Sequence, residues 1–209
     1  MTLSQNNDPR RRRVFQSGTV RRPASVCPED NSAWACPISL GDDIGRGASS
    51  TSAASTIESP QVIAVNGTTL CAVWVREDEK LSGNDHVRMS LVQSSASFDS
   101  GASWSQPQDV SARGFSHAPH IVATTNAIAV VWHHFDGMNY RIHAIVSLDF
   151  GVNWSSPQPV SPAQGDAMNA RVTRSQSGVL TAVWQRIPNV DVAGFAVVES
   201  STSYDSGAT

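Results

Sequence analysis

The chain has 209 residues, 40% of them hydrophobic and 16% charged, with a formal net charge of −3. That length allows one or two globular domains, and no apolar run approaches the ~20 residues that a membrane span needs. The charge is uneven: residues 1–22 hold six of the 15 basic residues and one acid, which leaves 9 basic and 17 acidic residues, or −8, on the rest. An acidic body argues against a nucleic-acid partner.

In chain order, residues 1–20 are polar, carry the run Arg10-Arg11-Arg12-Arg13 and show no periodicity. The prediction is a solvated, disordered Arg-rich tail, and Met1 to Gln16 lacks the apolar stretch of a secretory signal. Cys27 and Cys36 flank Trp34 closely enough for a hairpin-spanning disulfide. Cys71, inside Leu70-Cys71-Ala72-Val73-Trp74, reads as a buried small hydrophobe. No Cys/His spacing reads as a zinc site. Residues 41–58 are rich in Gly, Ser, Ala and Thr and predict a long loop or insertion.

Two elements then repeat. The first is a hairpin: Pro60 to Trp74, Pro119 to Trp132 and Ala170 to Trp184 each read as a short strand, a polar turn and an apolar strand ending Val-Trp. The second is an octet. Ser97-Phe98-Asp99-Ser100-Gly101-Ala102-Ser103-Trp104 recurs as Ser147-Leu148-Asp149-Phe150-Gly151-Val152-Asn153-Trp154. It starts again at Ser203-Tyr204-Asp205-Ser206-Gly207-Ala208-Thr209. Asp accepts backbone N–H groups one or two residues on, closing an Asx-type turn, and Gly allows a positive φ. By the pattern a tryptophan would come after Thr209, so a chain cut short is expected. Around Trp34 a degenerate copy puts Glu29 and Asn31 at the Asp and Gly positions. All six tryptophans then fall on one of two repeat positions.

Hairpin, connector, strand, octet turn and strand at a period of about 50 residues make the four-stranded unit of a β-propeller. The expected fold is all-β, a partial propeller over residues 21–209. Its blades would lie at about 59–111, 118–161 and 170–209, the last without its fourth strand, with the remnant of a preceding blade at 21–40. Unpaired edges in such a partial ring predict marginal stability or aggregation.

The pattern S-x-D-x-G-x-x-W resembles the Asp-box, or BNR repeat, of sialidase-type β-propellers. The resemblance implies six blades in the intact ring. It implies boxes between the third and fourth strands of each blade, on the face away from the active site. Ser97, Asp99, Gly101, Trp104, Ser147, Asp149, Gly151, Trp154, Ser203, Asp205 and Gly207 would then be structural. It also implies a glycoside hydrolase acting on a terminal sialic acid or related sugar, with no cofactor, three arginines on the sugar carboxylate, an Asp acid/base and a Tyr/Glu nucleophile. The alternative is a non-catalytic Asp-box propeller that binds glycans or proteins.

Blade topology places candidate residues on the rim opposite the octets. The loops from strand two to three would carry Arg76-Glu77-Asp78-Glu79, His133-His134-Phe135-Asp136 and Arg186-Ile187-Pro188. Inter-blade loops would carry Arg113, His117, His120 and Asp166. From these, Arg186, Tyr140 and Asp136 are the catalytic candidates, Asp78 being a second choice of acid/base. Arg76, Arg113, His133 and His134 are the candidates for substrate binding, with a sialylated or other glycan as partner. Arg186-Ile187-Pro188 resembles the family's Arg-Ile-Pro motif, but that motif precedes the first box and this one comes after two, which favours coincidence. Tyr140 has no Glu near it in sequence and also reads as an ordinary strand residue. His117, His120, His133 and His134 on one rim invite a metal, but no carboxylate or cysteine spacing supports one, and none is assigned.

Overall fold

The computed structural model describes residues 40, 55–82, 85–188 and 195–207, and no helix occurs among them. The Arg-rich segment, the Cys27–Cys36 pair, the degenerate octet at Trp34 and the remnant blade, apart from its last residue, lie outside the described residues. Among the described residues, no helix is long and apolar enough to cross a membrane.

Among the described residues, eleven strands form three antiparallel sheets. The first sheet runs in order through β1 (Ser55–Ala64), β2 (Leu70–Ser82), β3 (Asp85–Ser97) and β4 (Gln108–Asp109). The second repeats it with β5 (Ser116–Ala123), β6 (Ile128–Phe135), β7 (Tyr140–Ser147) and β8 (Gln158–Pro159). The third holds β9 (Asp166–Arg174), β10 (Leu180–Ile187) and β11 (Val197–Ser203), with β10 in the middle. The fold is a partial β-propeller, each sheet a meander packed face to face on the next.

Burial on both faces explains the composition of the central strands. Cys71 and Val73 of β2 share a buried cluster with Ile128, Val130 and Trp132 of β6. The intervening Val131 of β6 points the other way, into a cluster with Val172, Ala182 and Trp184 of the third sheet. Because successive side chains of a strand alternate faces, a strand with a neighbour on each side is apolar throughout, as Ile128-Ala129-Val130-Val131-Trp132 is. Cys71 is fully buried, and burial pushes its thiol up to about 12.

The strands are longer than the sequence predicts. Trp74, Trp132 and Trp184 do not end their strands. They hold one register, opposite Gln93, His143 and Glu199, and each strand runs on past them. Arg76-Glu77-Asp78-Glu79, His133-His134-Phe135 and Arg186-Ile187 are therefore strand residues rather than loop residues. The inner strands also begin upstream of Pro60, Pro119 and Ala170, so Ser55 to Glu58 belong to β1 and not to an insertion. Each inner strand has a bulge at the same place, with Ser59, Ala118 and Asn169 at φ of +51°, +48° and +57°. Such a bulge bends the strand and re-aims what precedes it.

The octets form three like turns. Ser97 Oγ donates to Asp99 Oδ1 (2.9 Å) and accepts from the Gly101 N–H (2.8 Å), while Asp99 Oδ1 accepts from the Ser103 N–H (2.8 Å). In the second copy the same three bonds are 2.8, 2.7 and 2.7 Å long. In the third, Ser203 Oγ bonds Asp205 and the Gly207 N–H at 2.7 Å each. The carboxylate thus reaches four residues on, not one or two. Two consecutive residues are left-handed in each turn: Ser100 and Gly101, Phe150 and Gly151, Ser206 and Gly207.

The octet turns share a rim with the first hairpin turns, since the Ser100 N–H donates to Thr68 O at 2.8 Å. They also dock one sheet on another. Trp154 packs against the cluster between the first and second sheets, and its Nε1 donates to Ser94 Oγ across that boundary (3.1 Å).

Candidate functional site

The opposite rim is built from the far ends of β2, β6 and β10, the upstream ends of β5 and β9, and the connections between sheets. In the first connection, Ser111 Oγ accepts the Val92 N–H at 2.8 Å, and Gly114 bridges Ser90. The second uses Ser161 Oγ on the Ile142 N–H in the same way, at 2.9 Å. These pins bring Arg113 and Asp166 onto the rim.

Asp78 is the centre of the first cluster. Arg76, two residues before it on the same face of β2, donates through Nε to Oδ1 at 2.8 Å. Ser55, opposite it on β1, donates to Oδ1 at 2.9 Å, and Arg113 reaches Oδ2 from the inter-sheet connection at 2.5 Å. Burial alone would raise this carboxyl, but the bonds from Ser55, Arg76 and Arg113 outweigh it and hold it below the ordinary value. The Arg76 side chain is 16% exposed and that of Arg113 is 49% exposed. One carboxylate therefore fixes two guanidinium groups and leaves half of one open to solvent. The predicted binding residues Arg76 and Arg113 do converge. Asp78, which sequence reasoning offered only as an acid, is what holds them. An Arg-x-Asp spacing read as strand would have found it, because residues i and i+2 share a face.

Histidines and Tyr140 form the second cluster. His117 Nε2 lies 3.3 Å from Ser90 Oγ, and its Nδ1 is 4.0 Å from a Glu77 carboxylate oxygen. The His133 ring is 5.7 Å from that of His117 and 5.3 Å, edge-on, from that of Tyr140. Burial, with His117 adding to it, pushes His133 down to about 4. His134 turns to the other face, where Ser116 Oγ meets its Nδ1 at 2.9 Å and the His143 ring lies 5.4 Å away. His120 accepts the Val172 N–H of the third sheet (3.3 Å), so it joins two inner strands. Among the described residues no group of three or more His, Cys, Asp or Glu is placed to hold a metal ion.

Each catalytic candidate is tied to different partners. Tyr140 touches the rings of His133 and Phe135, and its backbone N–H donates to Asp166 Oδ1 at 2.9 Å. Asp136 caps the exposed turn before β7, accepting the N–H groups of Met138 and Asn139 at 2.9 Å each. Those two bonds, Asn139's first, hold its carboxyl below the ordinary value. Arg186 is held within the third sheet: Nη1 donates to Glu199 (2.6 Å), and Nε and Nη2 donate to Gln164 O at 3.0 and 2.7 Å.

No protein family model matches this sequence, and the comparison with curated proteins found no match. Among similar solved structures is a glycosyl hydrolase from Bacteroides ovatus, 15% identical over 71% of this chain and 46% of that one, with a TM-score of 0.46. Another is a protein of the GH130 family of mannoside phosphorylases, which contains glycoside hydrolases that target beta-1,2 mannosidic linkages in Candida mannan. It is 12% identical over 71% of this chain and 46% of that one, with a TM-score of 0.45. The chain spans about half the length of each.

Proposed function

We propose that the rim opposite the octet turns binds a sugar carboxylate, and that the intact protein is an exo-sialidase-like glycoside hydrolase acting on terminal sialic acid or a related acidic sugar. The observation that carries this reading is the convergence of Arg76 and Arg113 on Asp78. Two positive charges against one negative leave the cluster at +1. A guanidinium fork meets a carboxylate with two charge-assisted bonds. The octets support the reading through their resemblance to the Asp-box, and they lie on the other rim, as that resemblance requires. Arg186, Tyr140 and Asp136 remain the catalytic candidates of this proposal, and His133 and His134, on opposite faces of their strand, its further candidates for substrate binding.

The test is titration of the chain with sialyllactose and with lactose, read by NMR shifts of the tryptophan and histidine side chains. Sialyllactose is expected to bind, and Arg113→Ala to weaken it by roughly tenfold to a hundredfold through the loss of a charge-assisted contact. Equal response to the two sugars, or indifference to Arg113→Ala, ends the proposal. The second reading, a non-catalytic glycan- or protein-binding propeller, is favoured by one observation: the Asp136 carboxylate is committed to its turn, while Tyr140 packs against His133 and Phe135 rather than a Glu. Under both readings this chain alone does not turn over a fluorogenic sialoside. Turnover abolished by Arg186→Ala would overturn that expectation and remove the second reading.

A further inference from the structure

Gly114, in the connection between the first and second sheets, has no conformational reason to be glycine. Its φ lies outside the left-handed region, unlike those of Gly101, Gly151 and Gly165. What excludes a side chain is the ring beside it: an added Cβ would stand 2.9 Å from His134 Cε1. The Gly114 peptide therefore rests directly on the imidazole. The same ring meets the connection again two residues on, where its Nδ1 lies 2.9 Å from the Oγ of the fully buried Ser116.

The rest of the connection is pinned around that contact. Ser111 Oγ accepts the Val92 N–H, Gly114 and Ser90 exchange two backbone bonds, and Ser90 Oγ accepts the Ser116 N–H at 2.8 Å. Between the pins at Ser111 and Gly114 only Ala112 and Arg113 intervene, so the seat of Gly114 limits where the Arg113 guanidinium can reach. Arg76 needs no such support, because it shares a strand face with Asp78. The connection before the third sheet is seated alike. Arg186, which occupies the place of His134 in β10, donates to Gln164 O, and a Cβ on the adjacent Gly165 would collide with Ile187 O.

We propose that His134 is a positioning residue for the carboxylate site: its ring carries the Gly114 peptide and so sets Arg113 against Asp78 with half of the guanidinium side chain open. This role rests on the reading of Arg113 as a ligand of the sugar, and it narrows the part of His134 there to one exerted through the connection. Displacing the connection removes Arg113 from the site and leaves Arg76 on Asp78.

The experiment uses the 209-residue chain and two readouts, one of which involves no sugar. The first is the titration of the Asp78 carboxyl, followed by NMR of its side-chain carbon. Arg113 is one of the groups that hold this carboxyl below its ordinary value, so release of Arg113 raises it. The second is affinity for sialyllactose. Gly114→Ala is expected to move the Asp78 titration upward and to weaken sialyllactose by roughly tenfold, within the loss caused by Arg113→Ala. His134→Asn keeps a polar atom near the place of Nδ1 for Ser116 and removes Cε1. Added to Gly114→Ala, it should restore both readouts, because the new carbon then has room. His134→Ala, which removes the ring and the Ser116 partner together, should act as Gly114→Ala does and replaces it where that variant folds too poorly to titrate. An unmoved Asp78 titration overturns the proposal. So does an effect of Gly114→Ala that persists undiminished beside His134→Asn. Sialyllactose that fails to bind the parent chain ends the functional reading alone, and the Asp78 titration still decides the role of His134.

Discussion

Replacing Gly151 by alanine separates two costs that the structure assigns to that position. The first is backbone strain. Gly151 sits at φ +92°, and a left-handed backbone costs a residue with a Cβ about 1–2 kcal/mol. The second is contact across the boundary between sheets: an added Cβ would stand 3.2 Å from Cys71 Sγ and 3.5 Å from Ala96 Cβ. The approach to Ala96 is ordinary contact, but the Cys71 sulfur is closer than a Cβ normally sits and is fully buried in the first sheet, so it does not yield freely, and overpacking of this kind costs about 1–3 kcal/mol. The sum is about 3 kcal/mol, roughly a hundredfold in the folding equilibrium. Gly137→Ala is the matched control, since φ there is +101° and nothing lies within 4 Å of the added carbon. It should cost the strain alone, about 1–2 kcal/mol. Urea unfolding monitored by tryptophan fluorescence measures both. Cys71→Ala then removes the contacting sulfur, and in that background the excess cost of Gly151→Ala over Gly137→Ala should vanish. Equal costs for the two glycine variants, or an excess that ignores Cys71→Ala, would refute the docking of the second octet onto the first sheet.

Ser147→Ala should lower stability by about 1–3 kcal/mol, because it leaves the Gly151 N–H and Asp149 Oδ1 without their buried partner; an unchanged urea midpoint would count against the turn as described. His133 predicts acid sensitivity. Its folded pKa of about 4 lies below the ordinary 6.5, so the neutral ring favours the fold, and the stability it contributes is complete above pH 6.5 and lost as pH falls toward 4. The loss is about 3 kcal/mol, and His133→Gln should remove that share of the profile, while His143, which burial also pushes down to about 4, keeps its own. Asp78, held below its ordinary value, acts only at lower pH, which separates the two effects. A flat profile from pH 7 to 4 in the parent chain would exclude this environment for His133.

Turn chemistry made the repeat legible. Ser, Asp and Gly at fixed offsets each have a hydrogen bond or a φ that only a few residue types supply. What the octet hid was its second left-handed residue. Phe150 at φ +61° contradicts its own preference and is held there by the bonds that Ser147 and Asp149, before it, accept from the N–H groups of Gly151 and Asn153, after it. The rim was legible in place but not in form. Arg76-Glu77-Asp78-Glu79 is too charged to read as strand. It extends the sheet because each residue has a partner across the ladder: Ser55 for Asp78, Arg88 for Glu79 at 3.8 Å. Pro60 and Pro119 marked apparent strand starts, since proline lacks the ladder donor. They instead come directly after the bulge residues Ser59 and Ala118, and the strands resume upstream of them.

Register also decides how Arg186 should be understood. Counted from the strand starts at Leu70, Ile128 and Leu180, one position two residues beyond the tryptophan holds Arg76, His134 and Arg186. Every sheet thus presents a nitrogen-bearing side chain to the same rim, and each is tied to its own sheet or its connection: Arg76 to Asp78, His134 to Ser116, Arg186 to Glu199 and Gln164. The repeat accounts for the location of Arg186 without any appeal to an Arg-Ile-Pro motif. It also explains why the three candidates do not meet on one carboxylate. Equivalent positions on sheets set around an axis face a shared centre from different directions, so a ligand that touches all of them must lie over that centre, while one bound at Asp78 uses Arg76 together with Arg113 from the neighbouring connection. The Arg113→Ala titration therefore tests a site within the first sheet, whereas Arg186→Ala tests one that spans the rim.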